Sequence, residues 1–76
     1  MNRVRRKALG DLMEQLESIK EELEELKEEE EEYRDNIPEN LQGSERYELA
    51  DEACDNLDAA VESLEEAISS IEEAKS

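Results

Sequence analysis

Residues 9–33, LGDLMEQLESIKEELEELKEEEEEY, and residues 47–71, YELADEACDNLDAAVESLEEAISSI, decide the fold. In the first stretch Leu9, Leu12, Leu16, Ile19, Leu23 and Leu26 recur at alternating steps of three and four, and the same phase reaches Glu30 and Tyr33. In the second, Tyr47, Ala50, Cys54, Leu57, Val61, Leu64, Ile68 and Ile71 repeat the pattern. That spacing is the heptad signature of helices that pack through a/d seams. Each member of one stripe has a counterpart in the other whose number completes 80, as in Leu16 with Leu64, Leu23 with Leu57, or Leu26 with Cys54. A chain folded back on itself near residue 40 would bring these layers together. The sequence therefore predicts an all-α fold, an antiparallel two-helix coiled-coil hairpin over residues 1–76. A helix of about 3–35, a connector of 36–43 and a helix of about 44–75 are expected.

Local signals agree with those boundaries. Asn2 is suited to cap the first helix and Ser44 the second, with Glu45 in a first turn where the helix dipole favours an anion. Pro38 disfavours helical geometry at Ile37 and so stops the first helix. Gly10 weakens the first turns by about 1 kcal/mol relative to alanine. Ile37 and Leu41 are too apolar for an idle linker and are expected to plug the end of the hairpin against Tyr33 and Tyr47.

With Leu9 and Tyr47 both taken as a, the flanks become distinct. Lys20, Lys27 and Arg34 fall at e of the first helix, and Asp51, Asp58, Glu65 and Glu72 at e of the second. The e columns of an antiparallel pair face each other, so one flank should carry a ladder of opposite charges that selects register and orientation. The other flank bears Ala53, Ala60, Ala67 and Ala74 at g, opposite Ala8, Gln15, Glu22 and Glu29. Small side chains allow close helix approach, and this column, with Ala8 and Met13 near its far end, is the expected place for dimerisation into a four-helix bundle. Alanine as a plain helix former beneath glutamate stems is the competing reading.

The chain has 25 acidic and 9 basic side chains, a net charge of −16 and no histidine. Arg3, Arg5, Arg6 and Lys7 make the first seven residues +4, leaving −20 on the rest. Such a surface repels nucleic acid and anionic lipid and attracts basic protein. No apolar run follows the basic start, so neither a secretory signal nor a membrane span is expected. The lone Cys54 fits a reducing, cytoplasmic setting and packs as a small apolar residue.

Catalysis finds no support. Without imidazole the serines lack a base, and one thiol builds no typical zinc or iron site. No EF-hand spacing occurs, and a two-helix hairpin offers no pocket for a carboxylate pair. No cofactor or metal is expected, and no enzyme.

The f, b and c positions of the first helix carry the remaining signal: Glu14, Glu17, Glu21, Glu24, Glu25, Glu28, Glu31, Glu32 and Asp35, uninterrupted by a cation. A solvated face is the plain reading of such a run. Its one-sidedness argues for more, since the helix places its cations on the seam flank. From Glu14 to Asp35 it spans about 31 Å, roughly nine base pairs of duplex. A rigid rod of carboxylates over that length suits imitation of a phosphate backbone.

The stretch Asn36-Ile37-Pro38-Glu39-Asn40-Leu41-Gln42-Gly43-Ser44-Glu45-Arg46-Tyr47, with the acidic, alanine-spaced helix after it, resembles small uncharacterised acidic helical proteins of Gram-positive bacteria and their phages. In size and composition the chain is also similar to acidic phage inhibitors of restriction and CRISPR nucleases, several of which imitate DNA. The resemblance implies a mobile-element setting and transfers no activity. The acidic helix face leads to the expectation of a basic nucleic-acid-binding partner, such as a defence nuclease. The net charge and the lack of an apolar span lead to that of no direct nucleic-acid or membrane contact. A self-associating adaptor module and an acidic antidote to a basic toxin are the other expectations.

Overall fold

The computed structural model describes residues 1–41 and 43–76; Gln42, part of the expected connector, lies outside the described residues. Two long helices, α1 (Arg3–Asp35) and α2 (Glu45–Lys75), run antiparallel, joined through a single 3-10 turn at Glu39–Leu41. The Cα trace is a rod of 59 × 15 × 12 Å. The expected helical hairpin is thus the fold, and the helix limits match.

The caps are those the sequence anticipates. The Asn2 side chain accepts a hydrogen bond from the Arg5 amide at 2.8 Å, and the Ser44 hydroxyl accepts one from the Tyr47 amide at 3.3 Å. Each satisfies a backbone donor that has no partner within its own helix. At the other end of α1 the amide of Asn36 donates to the Glu32 carbonyl at 3.0 Å and that of Ile37 to the Arg34 carbonyl at 3.1 Å. Chain reversal continues with Leu41 donating to Pro38 O at 2.8 Å and Ser44 donating to Leu41 O at 3.0 Å.

The plug over the turn is half of what was expected. Ile37 is buried at 6 % exposure, whereas Leu41 remains 45 % exposed. Tyr33 and Arg46 close that end instead: Arg46 Nε donates to the Tyr33 hydroxyl at 2.6 Å, and its guanidinium carbon lies 5.4 Å from the ring centroid. The contact combines a hydrogen bond with a cation–π attraction.

Burial is lopsided. Among the described residues the buried apolar side chains are Ile37, Ala50, Cys54, Val61 and Ile68, four of them on α2 and none on α1. The a positions of α1, Leu9, Leu16 and Leu23, are half-buried, as are Leu57 and Leu64. Its d positions are not: Leu12, Ile19, Leu26 and Tyr33 are 42–55 % exposed. The e residues Met13, Lys20, Lys27 and Arg34 are half-buried in their place. The expected a/d seam of α1 is therefore an a/e seam. Leu26 does not seal a layer over Cys54, since it is 55 % exposed while the thiol is at 4 %. The charged e columns draw together, and a rotation of α1 that serves them swings its d column away from α2. Among the described residues no third helix covers that column.

Gly10 sits inside α1 with ordinary helical φ, and a Cβ there would meet the Lys75 Nζ at 3.7 Å, an easy van der Waals distance. Gly10→Ala should therefore raise the unfolding free energy by about 0.5–1 kcal/mol, read from the urea midpoint at unchanged denaturant slope.

Candidate functional site

The ladder on the e flank is the most regular polar feature of the hairpin. Lys27 Nζ donates to Asp58 Oδ1 at 2.9 Å, and an Arg34 Nη donates to Asp51 Oδ1 at 3.0 Å. Lys20 Nζ stands 4.0 Å from Glu65 Oε1 and 3.9 Å from Glu24 Oε1. These are the cross-helix partners the sequence anticipates. The cationic side chains keep only 20–27 % of their surface exposed, because their alkyl stems lie along α2 while the heads reach its carboxylates. Hydrogen bonding to Asp58 raises the Lys27 pKa, and hydrogen bonding first to Asp35 and then to Asp51 raises that of Arg34.

With its cations turned toward α2, α1 presents carboxylates on its outer side. Glu14, Glu17, Glu21, Glu25, Glu28, Glu32 and Asp35 are exposed. Glu24 and Glu31 are half-buried and belong to the ladder flank: Glu24 lies beside Lys20, and Glu31 lines a shallow depression with Lys27, Arg34, Cys54 and Asp58. Asp35 accepts a bond from Arg34 Nε at 3.0 Å, so its charge is compensated. Six of the nine expected carboxylates thus form an outer face, Glu14, Glu17, Glu21, Glu25, Glu28 and Glu32, with cations only beside its first three members.

On the opposite flank Ala53 and Ala60 are half-buried, and Ala67 and Ala74 are exposed. Met13 belongs to the e side rather than the far end of this column. Sequence reasoning missed that the exposed column Leu12, Ile19, Leu26 and Tyr33 shares this flank with the alanines. A signal existed: long cationic stems at e beside small residues at Ala50 and Cys54 allow α1 to roll toward e.

Arg3, Arg5 and Arg6 are exposed at the same end as Lys75, and Lys7 pairs with Asp11 at 3.3 Å. A broad, open depression there brings Arg6, Lys7 and Lys75 together with Glu14, Glu17 and Glu21, so the first three carboxylates of the outer face have cations nearby. Among the described residues no group of three or more His, Cys, Asp or Glu side chains is placed to hold a metal ion, and no helix is long and apolar enough to cross a membrane. Nor does any buried side-chain nitrogen or oxygen among them lack a partner.

Burial pushes the Cys54 thiol pKa up, and the nearby carboxylates of Glu31, Glu30 and Asp51 add to the shift against the opposing Arg34. No family model, curated protein or solved structure matches this chain.

Two outcomes follow. Reversing one rung, by Lys27→Asp or Asp58→Lys, should lower the urea midpoint, and the double reversal should recover most of the loss. The difference between single and double variants should shrink in roughly 1 M salt, where the Debye length falls to about 3 Å. For Cys54, the reactive form is the thiolate, so alkylation at pH 8 should be much slower than that of free cysteine and accelerate on denaturation. The sign carries over to stability. The unfolded thiol ionises first as pH rises past about 8.5, so the Cys54 contribution is intact below that pH and declines above it.

Proposed function

We propose that this chain is a non-enzymatic binding protein whose acidic α1 face occupies the basic nucleic-acid-binding surface of a protein partner, of which a defence nuclease is the type. One observation carries the reading: every cation of α1 beyond Lys7 is engaged by a carboxylate on the ladder flank, and from Glu14 to Glu32 the outer face exposes six carboxylates and no cation of its own. Like charges along a helix face weaken the helix slightly, so the arrangement stores repulsion that a cationic partner relieves. The surface is rigid, because α1 is one uninterrupted 33-residue helix braced by α2. Rigidity matters for mimicry, since a preorganised row of charges binds without the ordering cost of a flexible acidic tail.

Such a protein competes with nucleic acid for a basic groove and loses affinity steeply as salt screens the contact. The phage or mobile-element setting implied by the loop segment fits an inhibitor that must act on a host enzyme without chemistry of its own. The acidic-antidote reading shares the same face and differs only in the identity of the basic partner.

Replacing Glu14, Glu17, Glu21 and Glu28 by glutamine removes four outer charges at nearly constant helix propensity. Helicity and urea midpoint should hold or rise slightly, while affinity for a basic nucleic-acid-binding protein should fall at least about tenfold, together with a shallower salt dependence. The measurement is competition of the hairpin against duplex DNA for a captured nuclease across a salt series. Undiminished competition by the fourfold variant would refute the acidic face as the binding surface.

A further inference from the structure

The apolar column that α1 leaves uncovered has a geometry of its own. Arg5, Leu12, Ile19, Leu26 and Tyr33 share the d position, and the four hydrophobic members are 42–55 % exposed. Beside them on α2 runs the uncharged alanine column at g. Isolated exposed leucines are unremarkable, but four large apolar side chains recurring every seven residues, beside an alanine column in a chain of 45 % charged residues, form an apolar line suited to an interaction surface.

We propose that this face is covered by a second copy of the chain, packed antiparallel about a two-fold axis that passes at Ile19 and between Ala60 and Ala67. The columns themselves place the axis. On α1 the d column is symmetric about Ile19, so Leu12 of one copy meets Leu26 of the other and Ile19 meets itself. On α2 the alanine column is symmetric about the Ala60–Ala67 interval. By the layers that complete 80, Ile19 stands level with Val61, inside the Ala60–Ala67 interval and about 4 Å along the rod from its midpoint. One axis must serve both helices, so the d column of α1 fixes it and the alanines of the two copies meet slightly out of step.

Charge selects this arrangement over the one with both turns at the same end. The antiparallel form brings the +4 terminus of each copy to the turn end of the other, where Arg5 at d comes near Tyr33 and the acidic stretch before it. The alternative would stack the two basic ends together. Along the g column of α1, Glu29 then faces Ala8 and Glu22 faces Gln15 of the other copy, so no carboxylate there meets its own kind. The size is also adequate. From Arg5 to Tyr33 the face is about 42 Å long and two helices, about 20 Å, wide. That projects to about 800 Å², the share each partner contributes to a standard stable interface. The acidic f column of α1 points to the far side and stays open, so the dimer presents two such faces.

The full chain should sediment at twice its 8.8 kDa mass in 0.5 M salt, where repulsion between copies is screened. Ile19→Glu should sediment as a monomer with its helical circular dichroism retained, since Ile19 is 46 % exposed within one hairpin. In a Cys54→Ala background, Ile19→Cys chains should join into a disulfide-linked dimer on mild oxidation with diamide. Leu26→Cys chains alone should not, whereas a mixture of Leu12→Cys and Leu26→Cys chains should. A wild-type monomer at millimolar concentration would overturn the proposal and leave the face to a different protein. A dimer in which Ile19→Cys chains fail to crosslink would overturn the antiparallel axis.

Discussion

Three charged rungs, Lys20 with Glu65, Lys27 with Asp58 and Arg34 with Asp51, set both the register and the roll of the hairpin. Exposed ion pairs contribute little net stability each, because they exchange hydration for a screened attraction and immobilise long side chains. Their influence here is one of choice between near-equal packings. Hydrophobic contact between two smooth stripes tolerates a rotation of a few tens of degrees, so a weak but periodic term decides the angle. Once α1 rolls toward its e column, Leu12, Ile19 and Leu26 leave the seam, the stems of the cations enter it, and the outer carboxylates lose Lys20, Lys27 and Arg34 as counter-charges. The acidic face and the apolar face are thus two results of one rotation.

The small residues of α2 make that rotation affordable. Ala50, Cys54 and Val61 allow long side chains from α1 to lie across them, and these positions are buried while no residue of α1 is. Larger residues there would hold α1 at the symmetric a/d angle by filling the space its stems now occupy. Glu30 belongs to the same region. It holds an a position yet is only half-buried, and a neighbourhood of small partners leaves its carboxylate a route to solvent.

Much of this was legible in the sequence, and the limit has a physical reason. Heptad phase, caps at Asn2 and Ser44, and the break before Pro38 are local properties, and each reappears in the structure. The ladder was legible too, because complementary e columns follow from phase and direction alone. The roll of α1 was not. Heptad letters assume that a and d share the interface equally, an assumption drawn from symmetric coiled coils with comparable side chains in both strands. In this pair one helix brings bulk and the other brings space, so the assumption fails at Leu12, Ile19, Leu26 and Tyr33. The assignment of Glu24 and Glu31 to the outer face rested on the same assumption: a helix rolled toward e carries its b column to the edge of the ladder.

A single hairpin of this kind stays close to the limit of what can fold. Among the described residues its buried set is five small or medium side chains, and below about 70–80 residues one core rarely supplies more than about 3–5 kcal/mol. Two remedies are open to such a chain: a wider seam, or a second layer. The charge pattern forecloses the first, since a roll back to a/d would bury the leucines but pull Lys27 and Arg34 from Asp58 and Asp51. A second layer costs nothing on the ladder side and uses the face that carries Leu12, Ile19, Leu26 and the alanine column. The opposing cost is the charge of −16 on each copy. Five of the nine cations, Arg3, Arg5, Arg6, Lys7 and Lys75, stand at the end away from the turn. Copies laid antiparallel would therefore set these cations against the more acidic turn end, whereas copies laid parallel would stack them together.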